Sequence, residues 1–304
     1  MTVGEEVVAG RVAVVGSLNV DLVTGVHRHP APGETVLGDD LVRLRGGKGA
    51  NQALAAVRAG AEVTIIGRVG DDEDGRAYRQ HLAAAGIDVT HLVETPGVPT
   101  GTALIVVDAA GENTIVVAPG ANARLSAADV RAAAGAITDA DVLLVQLEIG
   151  QDAVDAAADI ARAAGTRLVL NASPVRPLPA SLRMLADPLL VNEHEAEAYA
   201  ADESPEADGS PEAGGSPEAD GSPEAGSAER VCVTLGSRGA QWGSASAAPP
   251  SVSPVDTTGA GDAFAGALAA ALAAGLGREA ALTSAVGAGA AATLWEGAQQ
   301  TSGG

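Results

Sequence analysis

The segment D-T-T-G-A-G-D-A-F, at residues 256–264, places a glycine-rich turn and an aspartate ahead of an Ala- and Leu-rich helical pattern. Free backbone N–H groups at a helix N-terminus, together with the helix dipole, attract anions such as phosphate. A carboxylate there repels phosphate, but it suits a base that takes a proton from a hydroxyl group attacking the phosphoryl group. The segment alone leaves two interpretations of Asp262 open: a general base, or an ordinary acidic residue in the first turn of a helix.

Two common nucleotide-binding motifs do not fit this chain. A dinucleotide fingerprint, G-x-G-x-x-G, needs a third glycine where Phe264 stands. The Walker A pattern, G-x-x-x-x-G-K-[ST], occurs neither in this segment nor in R-G-G-K-G-A-N at residues 45–51. The pattern therefore favours a glycine turn at a helix N-terminus as the phosphate-binding element.

The elements that must position such a turn follow from composition and periodicity. The chain has 304 residues, of which 46% are hydrophobic and only 2% aromatic, so its core must consist of Val, Leu, Ile and Ala. A formal net charge of -21 argues against binding to nucleic acid or an anionic membrane. Cys232 is the single cysteine, which excludes an internal disulfide. With no apolar run near the length of a spanning helix and no signal-peptide pattern, we expect a cytoplasmic protein.

Short apolar runs alternate with Ala-rich segments along most of the chain. The predicted buried parallel strands lie at 11–17, 61–67, 141–147, 166–171, 188–192 and 230–236. The predicted helices lie near 48–60, 75–86, 126–138, 151–164, 260–275 and 278–293. This alternation predicts a doubly wound α/β sheet with helices on both faces, whose ligands bind beyond the carboxyl ends of the strands.

Two regions depart from this alternation, near 22–46 and 98–118. Their alternating polar and apolar residues and turn signals predict antiparallel strands outside the main sheet, with a hairpin turning at Gly111–Glu112–Asn113. We interpret the two regions together as a small β lid. Since strands of such a lid cannot stay unpaired, a homodimer formed through the lid is expected.

An acidic repeat interrupts the chain near 203–228. The tripeptide Pro-Glu-Ala starts at 205, 211, 217 and 223, and residues 203–224 hold seven acidic residues and no basic one. Proline at this period excludes a helix, and the composition cannot bury a core. We expect a disordered insert within a single domain that spans residues 1–304.

Taken together, the motifs resemble those of the ribokinase-like carbohydrate kinases, the PfkB family. D-T-T-G-A-G-D-A-F-A-G resembles the family's C-terminal signature, and R-G-G-K-G-A-N-Q-A-L-A-A-V-R-A-G-A (45–61) resembles its N-terminal signature. Shorter motifs follow in the family's order: G-S-L-N-V-D (16–21), P-A-P-G-E-T-V (30–36), P-T-G-T-A (99–103), G-E-N (111–113), P-G-A-N (119–122), Q-L-E (146–148), N-E-H-E (192–195), T-L-G-S-R-G (234–239) and E-G-A-Q (296–299). The resemblance covers residues 11–299 apart from the insert.

The resemblance implies a ribokinase-like fold and transfer of a phosphoryl group from ATP to O5 of D-ribose, with Mg²⁺ and K⁺ as activating cations. It leaves two alternatives open. One is another sugar or nucleoside kinase of the same family, acting for example on 2-deoxyribose or fructose, although the scarcity of aromatic residues argues against a nucleoside site. The other is an inactive sugar-binding homologue.

The resemblance also implies a set of site residues. Asp262 would be the base, and the anion hole would be formed by Gly259, Ala260 and Gly261. The sugar would be bound by Asp262 together with Asn19, Val20, Asp21, Gly47, Lys48, Gly49, Ala50, Asn51 and Glu148. ATP would contact Asn192, Thr234, Leu235, Gly236, Ser237, Arg238, Gly239, Gly261 and Val286. Glu195 would act indirectly on Mg²⁺. The K⁺ ligands would come from Asp256, Thr258, Ala292, Trp295, Gly297 and Thr301.

Overall fold

A computed structural model of the chain describes residues 9–202 and 229–299. The acidic insert predicted near 203–228 and the predicted K⁺ ligand Thr301 lie outside these residues.

The strands and helices are labelled in chain order. The strands are β1 (Arg11–Val15), β2 (Asn19–Gly25), β3 (Val42–Gly46), β4 (Glu62–Gly70), β5 (Leu92–Thr95), β6 (Gly101–Val107), β7 (Asn113–Ala118), β8 (Val142–Gln146), β9 (Arg167–Asn171), β10 (Leu189–Asn192), β11 (Val231–Thr234), β12 (Ala240–Trp242) and β13 (Ala245–Ala247). The α-helices are α1 (Lys48–Arg58), α2 (Glu73–Ala84), α3 (Ala127–Ala132), α4 (Ala134–Thr138), α5 (Gln151–Ala164), α6 (Ala180–Leu185), α7 (Glu193–Asp202), α8 (Ala260–Ala273) and α9 (Arg278–Ala292).

Nine of the strands within residues 9–202 and 229–299 form the main sheet, in the order β13-β12-β11-β10-β9-β8-β1-β4-β5. All neighbours from β11 to β5 are parallel, and within the sheet only the pairs β11–β12 and β12–β13 are antiparallel. The six predicted strands all belong to this sheet. The prediction of a doubly wound, mainly parallel α/β fold is thereby confirmed.

Helices cover both faces because side chains alternate along each central strand. In β1, Val12 and Val14 face a core shared with α1, α8 and α9, whereas Ala13 and Val15 face a second core shared with α3, α5 and α6. The strands are therefore apolar on both sides, which explains why they appear in the sequence as continuous apolar runs.

Helices α1 and α8 pack closely on one of these faces, and their contact sets the geometry of the site. A side-chain carbon at Gly266 of α8 would overlap the backbone carbonyl of Gln52 and the Ala55 side chain in α1. Glycine at 266 therefore lets the two helices approach at backbone distance.

The predicted helix at 126–138 is instead two helices, α3 and α4, which meet at Ala133. Five further elements were not predicted, namely α6, α7, β5, β12 and β13. The strands β12 and β13 have only three residues each, and α7 (E-H-E-A-E-A-Y-A-A-D) has too many charged residues to show an apolar helical period.

The second sheet, which we call the lid, has the strand order β3-β2-β6-β7. The hairpin between β6 and β7 is antiparallel as predicted, but the central pair β2 and β6 is parallel, so the prediction of antiparallel lid strands is wrong for this pair. Strand β2 leaves the main sheet after β1, and β6 leaves it after β5. Because β1 and β5 run in the same direction, the two strands that continue from them do so as well.

Candidate active site

Predicted binding residues and the predicted base meet at one edge of the main sheet. Asn19 follows β1, Glu148 follows β8, and Asn192 ends β10, so all three lie at the carboxyl ends of parallel strands. The N-termini of α1 and α8 bring Lys48 and Asp262 to the same edge. This is the edge at which open α/β sheets bind their ligands.

The turn before α8 depends on glycine. Gly259 has a left-handed backbone with φ of 78°, and an added side-chain carbon would lie 2.6 Å from Cα of Ala298. The Ala260 N–H donates to the Thr257 carbonyl at 3.2 Å. Gly261 differs, because an added carbon there meets nothing within 4 Å. Gly259 therefore shapes the turn, and Gly261 keeps the space in front of it open.

Asp262 is buried in the first turn of α8, with 7% of its surface exposed. Two adjacent residues of α1 hold its carboxylate: Asn51 Nδ2 donates to Oδ2 and Gln52 Nε2 donates to Oδ1, both at 2.9 Å. Each oxygen keeps a further lone pair for another donor. The carboxylate is thus fixed in direction and still able to accept a hydrogen bond from a substrate hydroxyl.

Asn51 is itself fixed by a chain of hydrogen bonds that reaches the lid. Gln299 Nε2 donates to Asn51 Oδ1 at 2.8 Å and lies 2.6 Å from the Tyr78 hydroxyl. That hydroxyl donates to the carbonyl of Gly46, the last residue of β3, at 2.5 Å. His81 Nε2 lies 3.1 Å from Gln299 Oε1. The C-terminal part of the described chain and the lid therefore both support the amide that holds Asp262.

Glu148 organises the start of α1. Its Oε2 accepts from the Ser17 hydroxyl at 2.5 Å and from the Lys48 backbone N–H at 3.1 Å. The Oγ of Ser17 in turn accepts from the Gly49 N–H, and the carbonyl of Ser17 accepts from the Ala50 N–H. The predicted sugar-binding segment 47–51 is therefore anchored to the loop that follows β1.

Several charged groups lie close together at this edge. Burial, followed by the charges of Glu148 and Asp262, raises the pKa of Asp21 to about 7. Burial acts to lower the pKa of Lys48, but the carboxylates of Asp262, Glu148 and Glu195 outweigh it, so the net shift is upward. Lys48 is thus held as a cation among carboxylates.

Asn19 is buried, and its Oδ1 accepts from Asn122 Nδ2 at 2.8 Å. The same Asn122 side chain bonds both the N–H and the carbonyl of Leu18, so it fixes the turn into β2. Along β2 the side chains alternate, which places Asn19 and Asp21 on one face and Val20 on the other. A contribution of Val20 to sugar binding would therefore come from its backbone.

A cavity of about 560 Å³ lies on the other side of the α8 turn. It has the size of a small-molecule site and a mostly apolar wall. Of the predicted ATP contacts, it is lined by Thr234, Gly236, Ser237, Gly239, Gly261 and Val286. Leu235, Arg238 and Asn192 do not line it, and Arg238 forms an ion pair with Glu193. Sequence reasoning missed the rest of the wall, which includes the proline-rich segment 249–254, Phe264, Gly289 and Thr293.

Asn192 and Glu195 bond each other across the first turn of α7. The Asn192 N–H donates to Glu195 Oε2, and the Glu195 N–H donates to Asn192 Oδ1, both at 2.8 Å. This reciprocal pair is a capping box, which gives the N-x-x-E motif a structural role. The second carboxylate oxygen of Glu195 remains as a ligand of the kind that Mg²⁺ prefers.

Asp256 ties the segment before α8 to the loop that follows α9. Its Oδ1 accepts from the Thr258 N–H and its Oδ2 from the Gly297 N–H, both at 2.8 Å. Burial acts to raise the pKa of Asp256, but these hydrogen bonds outweigh it and the pKa falls below its usual value. An ionised carboxylate is a hard oxygen ligand of the kind that metal cations bind. The described residues contain no group of three or more His, Cys, Asp or Glu side chains arranged for a metal ion.

Three residues with evident roles at the site were missed as individual site residues, namely Ser17, Gln52 and Gln299. All lie inside motifs noted in the sequence, and the two glutamines are buried polar side chains. A buried amide needs a partner, but the sequence does not show which partner it has.

Within the described part of the chain, no helix is long and apolar enough to cross a membrane.

Comparisons with known proteins show what the chain is similar to. The profile of the pfkB family carbohydrate kinases matches residues 9–302. The ribokinase of Bacillus subtilis is 38% identical over 275 residues, which cover 89% of this chain and 88% of the relative. The bifunctional ribokinase/ribose-5-phosphate isomerase A of Fructilactobacillus sanfranciscensis is 36% identical over 264 residues, which are 85% of this chain but 48% of that protein, so the chain spans about half its length. The deoxyribokinase of Salmonella typhi is 32% identical over 263 residues, which are 85% of this chain and 84% of the relative.

A solved structure shares the fold. Arabidopsis thaliana ribokinase complexed with ribose and ATP matches with a TM-score of 0.77 and 26% identity, over 95% of this chain and 94% of that chain.

Proposed function

The chain belongs to the pfkB family of carbohydrate kinases, and we propose that it uses ATP to phosphorylate D-ribose at O5, giving D-ribose 5-phosphate and ADP. The observation that carries the proposal is the position of Asp262. It lies between the apolar cavity, which Gly261 lines, and the polar cluster formed by Asn51, Lys48 and Glu148. A base in this position can take the proton from a hydroxyl bound on one side while that hydroxyl attacks a phosphoryl group held on the other.

The sugar binds on the side of the polar cluster. A pentose presents several hydroxyl groups, which carboxylates accept and amides both accept and donate to. Asp21, Glu148 and Asn51 supply these groups on one face of the site. The backbone of Gly47 to Ala50, which Glu148 and Ser17 anchor, completes the wall. Buried polar groups of this kind discriminate strongly against sugars that lack a hydroxyl.

ATP binds on the side of the cavity. Its walls include Thr234, Gly236, Ser237 and Gly239 of the segment 234–239 and Val286 of α9, and Phe264 adds an apolar surface. The terminal phosphates lie at the α8 N-terminus, where the N–H groups of Gly259 and Gly261 and the helix dipole stabilise negative charge. The Ala260 N–H, predicted as a third donor, already donates to the Thr257 carbonyl. The protein thus positions the reacting groups and neutralises charge, which is most of what phosphoryl transfer requires.

Asp262 takes the proton from the O5 hydroxyl as that oxygen attacks the γ-phosphorus. Asn51 and Gln52 keep the carboxylate pointing in one direction, so no rearrangement is needed when the hydroxyl binds. The new P–O bond forms as the bond from the γ-phosphorus to the bridging oxygen breaks, and the electron pair leaves with ADP.

Two cations complete the proposal. Mg²⁺ neutralises phosphate charge, and Glu195 with Asn192 would act near it. K⁺ would be held by Asp256 and Thr258 with backbone oxygens near Ala292, Trp295 and Gly297, and by Thr301, which lies outside the described residues. The charge of the bound ion would stabilise the turn that carries the anion hole.

A homodimer through the lid is part of the proposal. Strand β7 is exposed along its whole length, and Leu104, Ile115, Val116 and Val117 expose between 48% and 59% of their surface. Apolar strands of this kind favour burial against a second copy. The measurement is the solution mass, and a monomer at micromolar concentration would contradict the dimer. We also place the enzyme in the cytoplasm.

A substrate screen tests the proposed activity. Release of ADP is measured over pentoses, hexoses and nucleosides, with 2-deoxyribose included because a deoxyribokinase is among the relatives. D-ribose is expected to give the highest kcat/KM, 2-deoxyribose a lower one and adenosine almost none. If another sugar or a nucleoside exceeds ribose by about tenfold, or roughly 1.4 kcal/mol, the assignment within the family is wrong.

A further inference from the structure

Gln52 lies directly behind the carboxylate of Asp262, and none of its surface is exposed. Its Nε2 donates both to Asp262 Oδ1 at 2.9 Å and to Asn171 Oδ1 at 3.0 Å. Its Oε1 accepts from Gln146 Nε2 at 2.6 Å. Both N–H groups of the amide are therefore in use and no solvent reaches it, so Gln52 cannot touch a substrate and can act only through Asp262.

Two central strands determine the orientation of this amide. Gln146 ends β8 and Asn171 ends β9, and the two residues are paired in register. Gln146 is fully buried, and its Oε1 is one of the few buried polar atoms without a partner among the described residues. That oxygen points at Gly16, where an added side-chain carbon would overlap it. Within residues 9–202 and 229–299, the only hydrogen bond of the Gln146 side chain is the one it donates to Gln52.

The direction of the whole chain of amides is therefore fixed. If the Gln52 amide turned over, its oxygen would face two acceptors, Asp262 and Asn171, and its NH₂ group would face that of Gln146. While the amides keep this orientation, the Oε1 atom of Gln146 stays without a hydrogen-bond partner, which is unfavourable for a buried polar atom. A buried polar atom left without a partner beside a catalytic group is more readily explained by function than by stability.

We propose that Gln52 is a positioning residue for the phosphoryl transfer: oriented by Gln146 and Asn171, it holds Oδ1 of Asp262 so that the carboxylate is aimed at the attacking hydroxyl. The inference rests on the proposed kinase activity. It adds that the sheet beneath the site, and not only the helix that carries Asp262, sets the direction of the base.

The first test is Gln52→Met, which keeps the length of the side chain and removes its donors. The carboxylate then loses one of its two supports, and kcat for D-ribose is expected to fall by roughly 10–100-fold, the scale of a small misplacement of a reacting group. The KM values for ribose and ATP should stay within about twofold, because Gln52 contacts neither substrate. A kcat within about twofold of the wild-type value would overturn the inference.

The second test is Gln52→Glu, which keeps the shape but places a carboxylate about 3 Å from that of Asp262. Two carboxylates this close cannot both be ionised, so the pair retains a proton in the range where the wild-type base is free. In a plot of kcat against pH, the acid limb should move to higher pH by about one unit or more. An acid limb that stays in place would also overturn the inference, since a purely structural role predicts lower stability without this shift.

Thr100→Val is the matched control. Thr100 is buried and hydrogen-bonded to Asp72 and Gly70, away from Asp262. The variant should lower the Tm and leave the acid limb unchanged; a shift equal to that of Gln52→Glu would show that the shift reports lost stability, and would overturn the inference.

If neither Gln52 variant folds, Gln146→Met decides, because Gln146 reaches Asp262 only through Gln52. A reduced kcat at unchanged KM supports the inference, and an unchanged kcat overturns it. Wild-type protein is measured in the same assay. If it does not phosphorylate ribose, the proposed function has failed, which is distinct from a failure of the role of Gln52.

Discussion

Replacing Asp262 with asparagine should separate nucleotide binding from phosphoryl transfer. The new side chain keeps the size of the old one but loses its charge, so the O5 hydroxyl loses its proton acceptor. We expect kcat to fall by roughly 10²–10⁴, the usual contribution of a positioned general base. ATP should bind at least as well as before, because a negative charge near the phosphates is gone.

The same substitution also affects stability, for a reason visible in the structure. Asn51 and Gln52 each donate to a different oxygen of the wild-type carboxylate. An asparagine at 262 offers one oxygen and one NH₂ group, so one of the two donors must face another donor. A buried donor without a partner costs about 1–3 kcal/mol, and each kcal/mol lowers the Tm of a domain of this size by roughly 2–4 °C.

Three measurements distinguish these effects: kcat from coupled ADP release, the Kd of ATP from calorimetry, and the Tm. Asp262→Ala is the companion variant, since it leaves both donors unpaired and should lose more stability for a similar loss of kcat. The reasoning is refuted if Asp262→Asn keeps more than about a third of the wild-type kcat under conditions where chemistry limits the rate. Asp262 would then be only a charge at the start of a helix.

Three further predictions concern other parts of the site. The pKa of Asp21 is raised to about 7 in the folded chain, whereas its value in the unfolded chain is near 3.8. Between about pH 4 and pH 7 the folded chain therefore retains a proton that the unfolded chain has lost, so stability should decline as the pH rises over this range. Asp21→Asn should flatten this slope in thermal melts, and an unchanged slope would contradict the prediction. Gly239 has φ of 93° and an added carbon would overlap the Ala247 carbonyl, so Gly239→Ala should distort the loop that lines the cavity and raise the KM for ATP roughly tenfold while the KM for ribose is unchanged. Exchange of K⁺ for Na⁺ should lower kcat at nearly constant ribose affinity, and Asp256→Asn should abolish the difference; equal wild-type rates in the two salts would rule out the cation site.

The main sheet was predictable because its strands are buried on both faces. R-V-A-V-V and D-V-L-L-V are continuous apolar runs, and burial on both sides is what such runs require. The pairing of β2 with β6 was not predictable in the same way. Its parallel direction depends on where β1 and β5 end in the main sheet, and no local pattern in either lid strand carries that information.

In the candidate site, too, some features were predictable from local sequence and others were not. Residues with a characteristic chemistry in a short motif, such as Asp262 and Glu148, could be proposed from the sequence, and the structure brings them to one edge of the sheet. Gln52, Gln146 and Gln299 could not be assigned a role, because an amide becomes a positioning group only through its partner. Those partners lie 94 residues away for the bond from Gln146 to Gln52 and 248 residues away for the bond from Gln299 to Asn51.

The parallel pairing of β2 with β6 also sets an order for folding. Asn19 pairs with Gly101, and α1, β4, α2 and β5 all lie between the two strands in the chain. The loop-closure entropy of this long separation must be met before the contacts between β2 and β6 contribute to stability, so this pairing forms after the unit that separates the two strands has docked on β1. In hydrogen exchange during refolding, the amides of β2 and β6 should therefore gain protection later than those of β1 and β4. A chain halted before that step would leave the apolar β6 and β7 hairpin unpaired, and this is the stage at which newly made copies are most prone to associate wrongly.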